Sequence, residues 1–302
     1  MTRRFDVGLD LPELPAGHPV RSTVRSLVRR RVGERPAAAE GPRAHWGPEY
    51  FGLHRARLFN GAAEAQKRAI LEVCASSLLE EAYFIEKAGV AYAAKMILLA
   101  ESSHERQLYG LFAGDEATHL EMISPYVAPR SPDDDPFVSL LAELIEHGDR
   151  NSLQLLIQIV LEGWGLVHYR GLRDGCRTPE LERVLAAILR DEAAHHQSGV
   201  ALFNEREPRR QSWEFITDAL AAILRLVQAG PLAVVAAVEG VLGHLRADQK
   251  HDLLDELDAR AHSAVRLRTL EGLLAKAGGA APLLDVLHGQ GLLTPLKSKE
   301  LI

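Results

Sequence analysis

The phrase Asp-Glu-Ala-x-His occurs twice in this chain, at Asp115–His119 and Asp191–His195, seventy-six residues apart. Glu and His three apart fall on one face of a helix, so each copy sets a carboxylate beside an imidazole. A single Glu-x-x-His is commonplace on solvated helix surfaces. The duplication constrains the fold because of what lies upstream of each copy. If each phrase sits on the second helix of an antiparallel hairpin, a carboxylate on the first helix meets it only when both lie equally far from the turn. With turns near Glu101 and Arg177, the partners of Glu116 and Glu192 fall near positions 86 and 162, and both are glutamates. Each pair is thirty residues apart, and Glu86 and Glu162 are again separated by seventy-six. Glu80 or Glu81 would miss the level by roughly 8 Å at a rise of about 1.5 Å per residue.

The surroundings of the upstream glutamates are apolar. Glu86 lies in AYFIEKAGVAYAA and Glu162 in LLIQIVLEGWGLVHY. A carboxylate on an apolar face is costly unless it is paired, protonated or bound to a cation. Long Ala/Leu/Glu/Arg stretches with apolar residues at i, i+3, i+4 and i+7 predict an almost wholly helical chain. A first long helix is expected over about Ala62–Leu99. A second opens with Ser102 as cap and Glu105 completing a capping box, and ends near Ser124. The acidic connector Ser131–Pro136 follows, and a third helix covers about Asn151–Arg173, with a preceding turn from Phe137. Thr178 caps a fourth helix whose first residue is Pro179 and which ends near the EREPRR stretch. The expected organisation is a basic N-terminal arm over 1–60 with one short helix near Val20–Val32, a bundle over 61–208, and a helical extension over 209–302 packed on that bundle.

Composition excludes several other classes. Cys74 and Cys176 are the only cysteines, so a disulfide framework and a cysteine-built metal site are both ruled out, and a reducing, cytoplasmic setting is expected. No apolar run approaches the twenty residues that span a bilayer, so no membrane association is expected. The net charge of −6 argues against a nucleic-acid binder. Residues 1–57 nevertheless carry eleven Arg against six Asp or Glu. Arg21, Arg25, Arg29, Arg30 and Arg31 therefore offer a solvated face, a subunit contact or a dock for an acidic partner such as a carrier protein or RNA.

Four glutamates and two histidines converging in a four-helix bundle make a binuclear metal site. One Glu from each of two helices and Glu-x-x-His from each of the other two is the signature of the ferritin-like di-iron carboxylate superfamily, which residues 64–205 resemble. The resemblance implies an all-α, ferritin-like four-helix bundle carrying additional C-terminal helices and the N-terminal arm. It makes Glu86, Glu116, His119, Glu162, Glu192 and His195 the metal ligands. It also implies that Asp115 hydrogen-bonds His195 and Asp191 hydrogen-bonds His119, fixing tautomer and ring orientation. Two iron ions are the implied cofactor, with manganese or a mixed pair as alternatives, and dioxygen is the implied co-substrate.

His196 competes with His195 on spacing, but the first phrase has Leu120 at that place. His168 lies off the ligand face. An N-oxygenating branch of the superfamily carries an extra histidine where this chain has Ile188. Gly89 and Gly165 follow the two upstream glutamates at i+3. Either close helix packing or space beside the metals accounts for them, and Gly163 adds a third glycine. Tyr83 and Trp164 join them as candidate pocket residues, while Tyr92 and Tyr169 read as core aromatics.

The function these features imply is an O2-dependent di-iron oxygenase or oxidase acting on a small or carrier-bound organic substrate. The alternative is iron oxidation and storage, or peroxide scavenging. An external electron donor such as a reductase or ferredoxin and a homodimeric assembly are the expected partners.

Overall fold

The computed structural model describes residues 6–15, 17–33, 43–127, 135–204 and 212–302. Among them no strand forms, and the β-type pairing present is an isolated bridge between Trp46 and Cys176. The expectation of an all-helical chain therefore holds. In chain order the helices are α1 (Pro19–Val32), α2 (Arg57–Asn60), α3 (Glu64–Leu99), α4 (Ser103–Ile123), α5 (Pro136–His147), α6 (Arg150–Leu153), α7 (Glu162–Gly175), α8 (Pro179–Asn204), α9 (Trp213–Ala229), α10 (Pro231–Leu242), α11 (Ala247–Glu256), α12 (Ala259–Lys276) and α13 (Ala281–Gly289). A π-helical segment, Gln154–Leu161, joins α6 to α7.

The sequence signals for helix ends mostly operate as expected. Ser102 accepts the Glu105 N–H at 3.1 Å, but the Glu105 carboxylate accepts from Glu101 N–H at 2.8 Å rather than from the cap residue itself. The turn expected from Phe137 is instead a full helix, α5, because Asp135 accepts from both Phe137 and Val138 N–H and Pro136 occupies the first position. The rest of the acidic connector, residues 131–134, and the EREPRR stretch, residues 205–210, lie outside the described residues.

Two compact units emerge, interleaved in sequence: residues 1–41 with 79–150, and residues 42–78 with 151–302. In the first unit the N-terminal segment is strapped to the helices. Leu9 is buried, Tyr83 donates its hydroxyl to Glu13 at 2.7 Å, and Lys87 donates to the Leu11 carbonyl at 2.9 Å. Burial, together with the Glu13 carboxylate, holds the Tyr83 phenol well above its usual pKa. Arg25 reaches Glu121 and Arg31 reaches Asp115 and Thr118, fastening α1 along α4. Lys95 donates to the carbonyls of Ile145 and Glu146 at the end of α5, where the helix leaves acceptors unpaired. Arg150 and Glu105 form a buried ion pair at 2.9 Å.

In the second unit α7 packs along α8, and α12 packs on α7, α9 and the π segment. Trp46 is wholly buried and donates from its indole nitrogen to the Leu172 carbonyl at 2.8 Å. The neighbouring His45 accepts Arg177 N–H on its carbonyl and sets its Nδ1 2.9 Å from the Thr178 hydroxyl. These contacts hold the α7–α8 turn. An apolar cluster of Leu53, Phe59, Ile70, Cys74, Val235, Val238, Leu253 and Leu254 anchors the C-terminal helices. No single helix of the described residues is long and apolar enough to cross a membrane. The pair α9 and α10 together would suffice by length and composition, but it bends by 43° and supplies buried core residues.

Burial pushes the Cys74 thiol up to about 12 and raises that of Cys176. Because the thiolate is the reactive form, both cysteines should resist iodoacetamide at pH 8 in the folded protein and react quickly in denaturant. Mass spectrometry of the labelled peptides checks this, and rapid native labelling of Cys74 would contradict it.

Candidate metal centre

In the first unit, α3 and α4 form a hairpin whose opposed faces carry one charged group of residues. Glu86 is fully buried, His119 is 1% exposed and Glu116 is 5% exposed. His119 Nδ1 lies 3.1 Å from a Glu86 carboxylate oxygen and 4.0 Å from one of Glu116. The ligand atoms of all three lie within 4.8 Å of one another. Gly89, one turn after Glu86, admits this arrangement. A methyl group there would lie 2.5 Å from the Glu116 carboxyl carbon, so the glycine lets that carboxylate rest against α3. Of the two explanations for Gly89, close packing is the one that applies.

The second unit repeats the pattern on α7 and α8. Glu192 and His195 are buried and Glu162 is partly buried. His195 Nδ1 lies 3.5 Å from a Glu192 oxygen, and the ligand atoms of Glu162, Glu192 and His195 also lie within 4.8 Å of one another. In both triads it is Nδ1 of the histidine that approaches the carboxylate three residues earlier. Each triad joins two carboxylates to one imidazole away from water, where negative charge is costly unless a cation offsets it. Oxygen and imidazole donors in this ratio suit a divalent first-row metal ion. The buried Glu/His cluster can therefore hold metal, and on this test the residues present fit one.

His196 is not part of the triad: its Nδ1 lies 3.2 Å from the Gln158 carbonyl and its ring fills the space beside Gly163. His168 packs edge-on to the buried Tyr169, and Ile188 is buried apolar core. Asp115 pairs with Arg31 at 3.4 Å, and Asp191 lies 3.9 Å from Arg190. Tyr83 hydrogen-bonds Glu13, and Trp164 is partly buried. Gly165 differs from Gly89, since no described atom would lie within 4 Å of a methyl group placed there.

Sequence reasoning missed the π segment and Gln158. The Glu162 N–H reaches back to the Ile157 carbonyl, five residues earlier, so Glu162 closes the last wide turn. Such turns are rare and collect at functional sites. Gln158 is fully buried and donates to the His195 carbonyl at 2.8 Å. The signal was two amides four apart in an otherwise apolar run, Gln154 and Gln158 in QLLIQIVL. No family, curated protein or solved structure matches this chain.

Proposed function

We propose that the chain is a ferritin-like four-helix bundle and that the protein is an O2-dependent di-iron oxygenase or oxidase acting on an organic substrate. The observation that carries this reading is the repeated triad. Each hairpin sets one glutamate from its first helix against Glu-x-x-His on its second, with the same spacing and the same histidine nitrogen toward the motif carboxylate. Glu86, Glu116, His119, Glu162, Glu192 and His195 would hold two iron ions, with manganese as the alternative occupant. Bound iron would supply the electrons that dioxygen needs for reaction with a substrate C–H, N–H or C–C bond.

The chain's own residues supply the setting. The carboxylates offset the charge of the ions, and the buried imidazoles fix their positions. In this reading Asp115 would orient His195 and Asp191 would orient His119. Leu155, Leu156, Ile159 and Val160 in the π segment, all buried, keep the Glu162 side of the second hairpin dry. Oxygenation that leaves water as the second product consumes two electrons beyond those of the substrate, so a reductase or ferredoxin would supply them. Arg29 and Arg30, exposed on α1, are where an acidic carrier would dock.

Anaerobic reconstitution with ferrous iron tests the reading. Two irons per chain are expected, fewer than one each for Glu162→Ala and His195→Ala at the affected triad, and oxygen uptake that depends on a reductant. Fewer than one iron in the unsubstituted protein overturns the metal site. Uptake of many irons per chain into a cage-sized assembly would replace the oxygenase with iron storage.

A further inference from the structure

Gln158 belongs to the π segment and its side chain ends on the helix opposite. Its amide nitrogen lies 2.8 Å from the His195 carbonyl and 3.0 Å from the Ser198 hydroxyl, which itself donates to that carbonyl at 2.8 Å. Amide, hydroxyl and peptide oxygen thus close a ring on the turn of α8 that carries His195. The main chain of the same residue holds the next side chain. The Gln158 carbonyl can only accept, so the His196 ring 3.2 Å away carries its proton on Nδ1. Gly199 completes the fit, because a methyl group there would lie 2.6 Å from the Gln158 Cγ and 2.8 Å from its Cδ. A residue one α-turn before Glu162 is thereby tied to the backbone of His195 and to the ring of His196.

We infer that Gln158 is a positioning residue for the metal triad of the second hairpin. It sets the height and rotation of α8 so that His195 faces Glu162 and Glu192, while His196 is taken up by the π segment. The wide turn is what makes this reach. A ring closed five residues back adds a residue to the turn, which brings the Gln158 carbonyl and amide to the same helix while Glu162 stays level with Glu192. The inference rests on the metal reading proposed above and adds the residue that selects between two adjacent histidines.

Cobalt(II) is the probe, since its visible absorption reports ligand geometry without turnover. The unsubstituted protein should take up two cobalt ions, and His196→Ala should retain both. Gln158→Met keeps the length and the packing against Gly199 but removes both amide hydrogen bonds. It should bind one of the two ions ten- to hundredfold more weakly and shift the cobalt spectrum, with the circular dichroism of the helices unchanged. Where Gln158→Met does not fold, Ser198→Ala opens the same ring from a partly buried position and should show the same spectral shift in smaller degree. Two ions bound with the original affinity and spectrum by the folded variant overturn the role of Gln158 and leave the metal site standing. Uptake of less than one cobalt by the unsubstituted protein overturns the metal reading, and this inference with it.

Discussion

Replacing Gly89 with alanine should cost the first hairpin its metal, whereas the same change at Gly165 should leave metal binding intact and slightly stabilise the helix. The two glycines occupy equivalent places, three residues after Glu86 and Glu162, and their surroundings differ. A methyl group at Gly89 would meet the Glu116 carboxyl carbon at 2.5 Å and its Cγ at 3.0 Å. Both atoms belong to the outer part of a flexible side chain, so the fold can yield by swinging the carboxylate away. The carboxylate then leaves the neighbourhood of Glu86 and His119, and a ligand atom is displaced by more than the few tenths of an ångström that a coordination sphere tolerates. Helix propensity acts in the opposite direction, favouring alanine by about 1 kcal/mol in a helix interior. Gly89→Ala should therefore melt within a few degrees of the unsubstituted protein while binding one metal ion fewer. At Gly165 no described atom opposes the methyl group, so only the propensity gain remains. Metal content by mass spectrometry, set beside the melting temperature, separates the two. Full metal loading of Gly89→Ala would show that Glu116 is not a ligand.

What the sequence exposes here is what depends on local geometry. The pairing of Glu86 with Glu116 and His119 needs only the rise of a helix and the position of a turn, so counting from Glu101 finds it. The same arithmetic from Arg177 reaches Glu162. The cap at Ser102 and the start of α8 at Pro179 are equally local. Gln158 was hidden because an apolar run such as QLLIQIVL satisfies an α-helix as well as a π-helix. The choice between them is made by α8, through the His195 carbonyl and the hole at Gly199. The N-terminal strap was hidden for a different reason. Residues 6–15 have no periodicity that points to a partner, yet Glu13 ends on Tyr83 and Leu11 on Lys87, seventy and seventy-six residues away. Nor does any composition shift announce that residues 42–78 associate with 151–302. Apolar faces such as that of Ile70 and Cys74 fix that association, and one helix, α3, serves both units.

Glu86→Gln should remove the first hairpin's share of the thermal stabilisation that metal confers while leaving the metal-free protein at least as stable as before. Glu86 is fully buried, and its carboxylate lies 3.1 Å from His119 Nδ1. Glutamine has nearly the same shape and keeps an oxygen to accept from that nitrogen. The metal-free protein thus loses little hydrogen bonding and is relieved of a charge whose burial is costly without a cation. A ligand that binds only the folded chain stabilises it by about 2.7 kcal/mol at a hundredfold excess over its dissociation constant. For a protein of this size that is roughly 4 °C per ion. The unsubstituted protein should show a rise of that order for each ion it takes up, and Glu86→Gln should forfeit the part due to the first hairpin. The trade is the usual one at a working site, where groups needed for binding are held at the expense of the unliganded fold. Calorimetry with and without excess cobalt measures both halves. A rise in Glu86→Gln equal to that of the unsubstituted protein would take Glu86 out of the metal centre, and a large fall in metal-free stability would mean that its charge serves the fold rather than a cation.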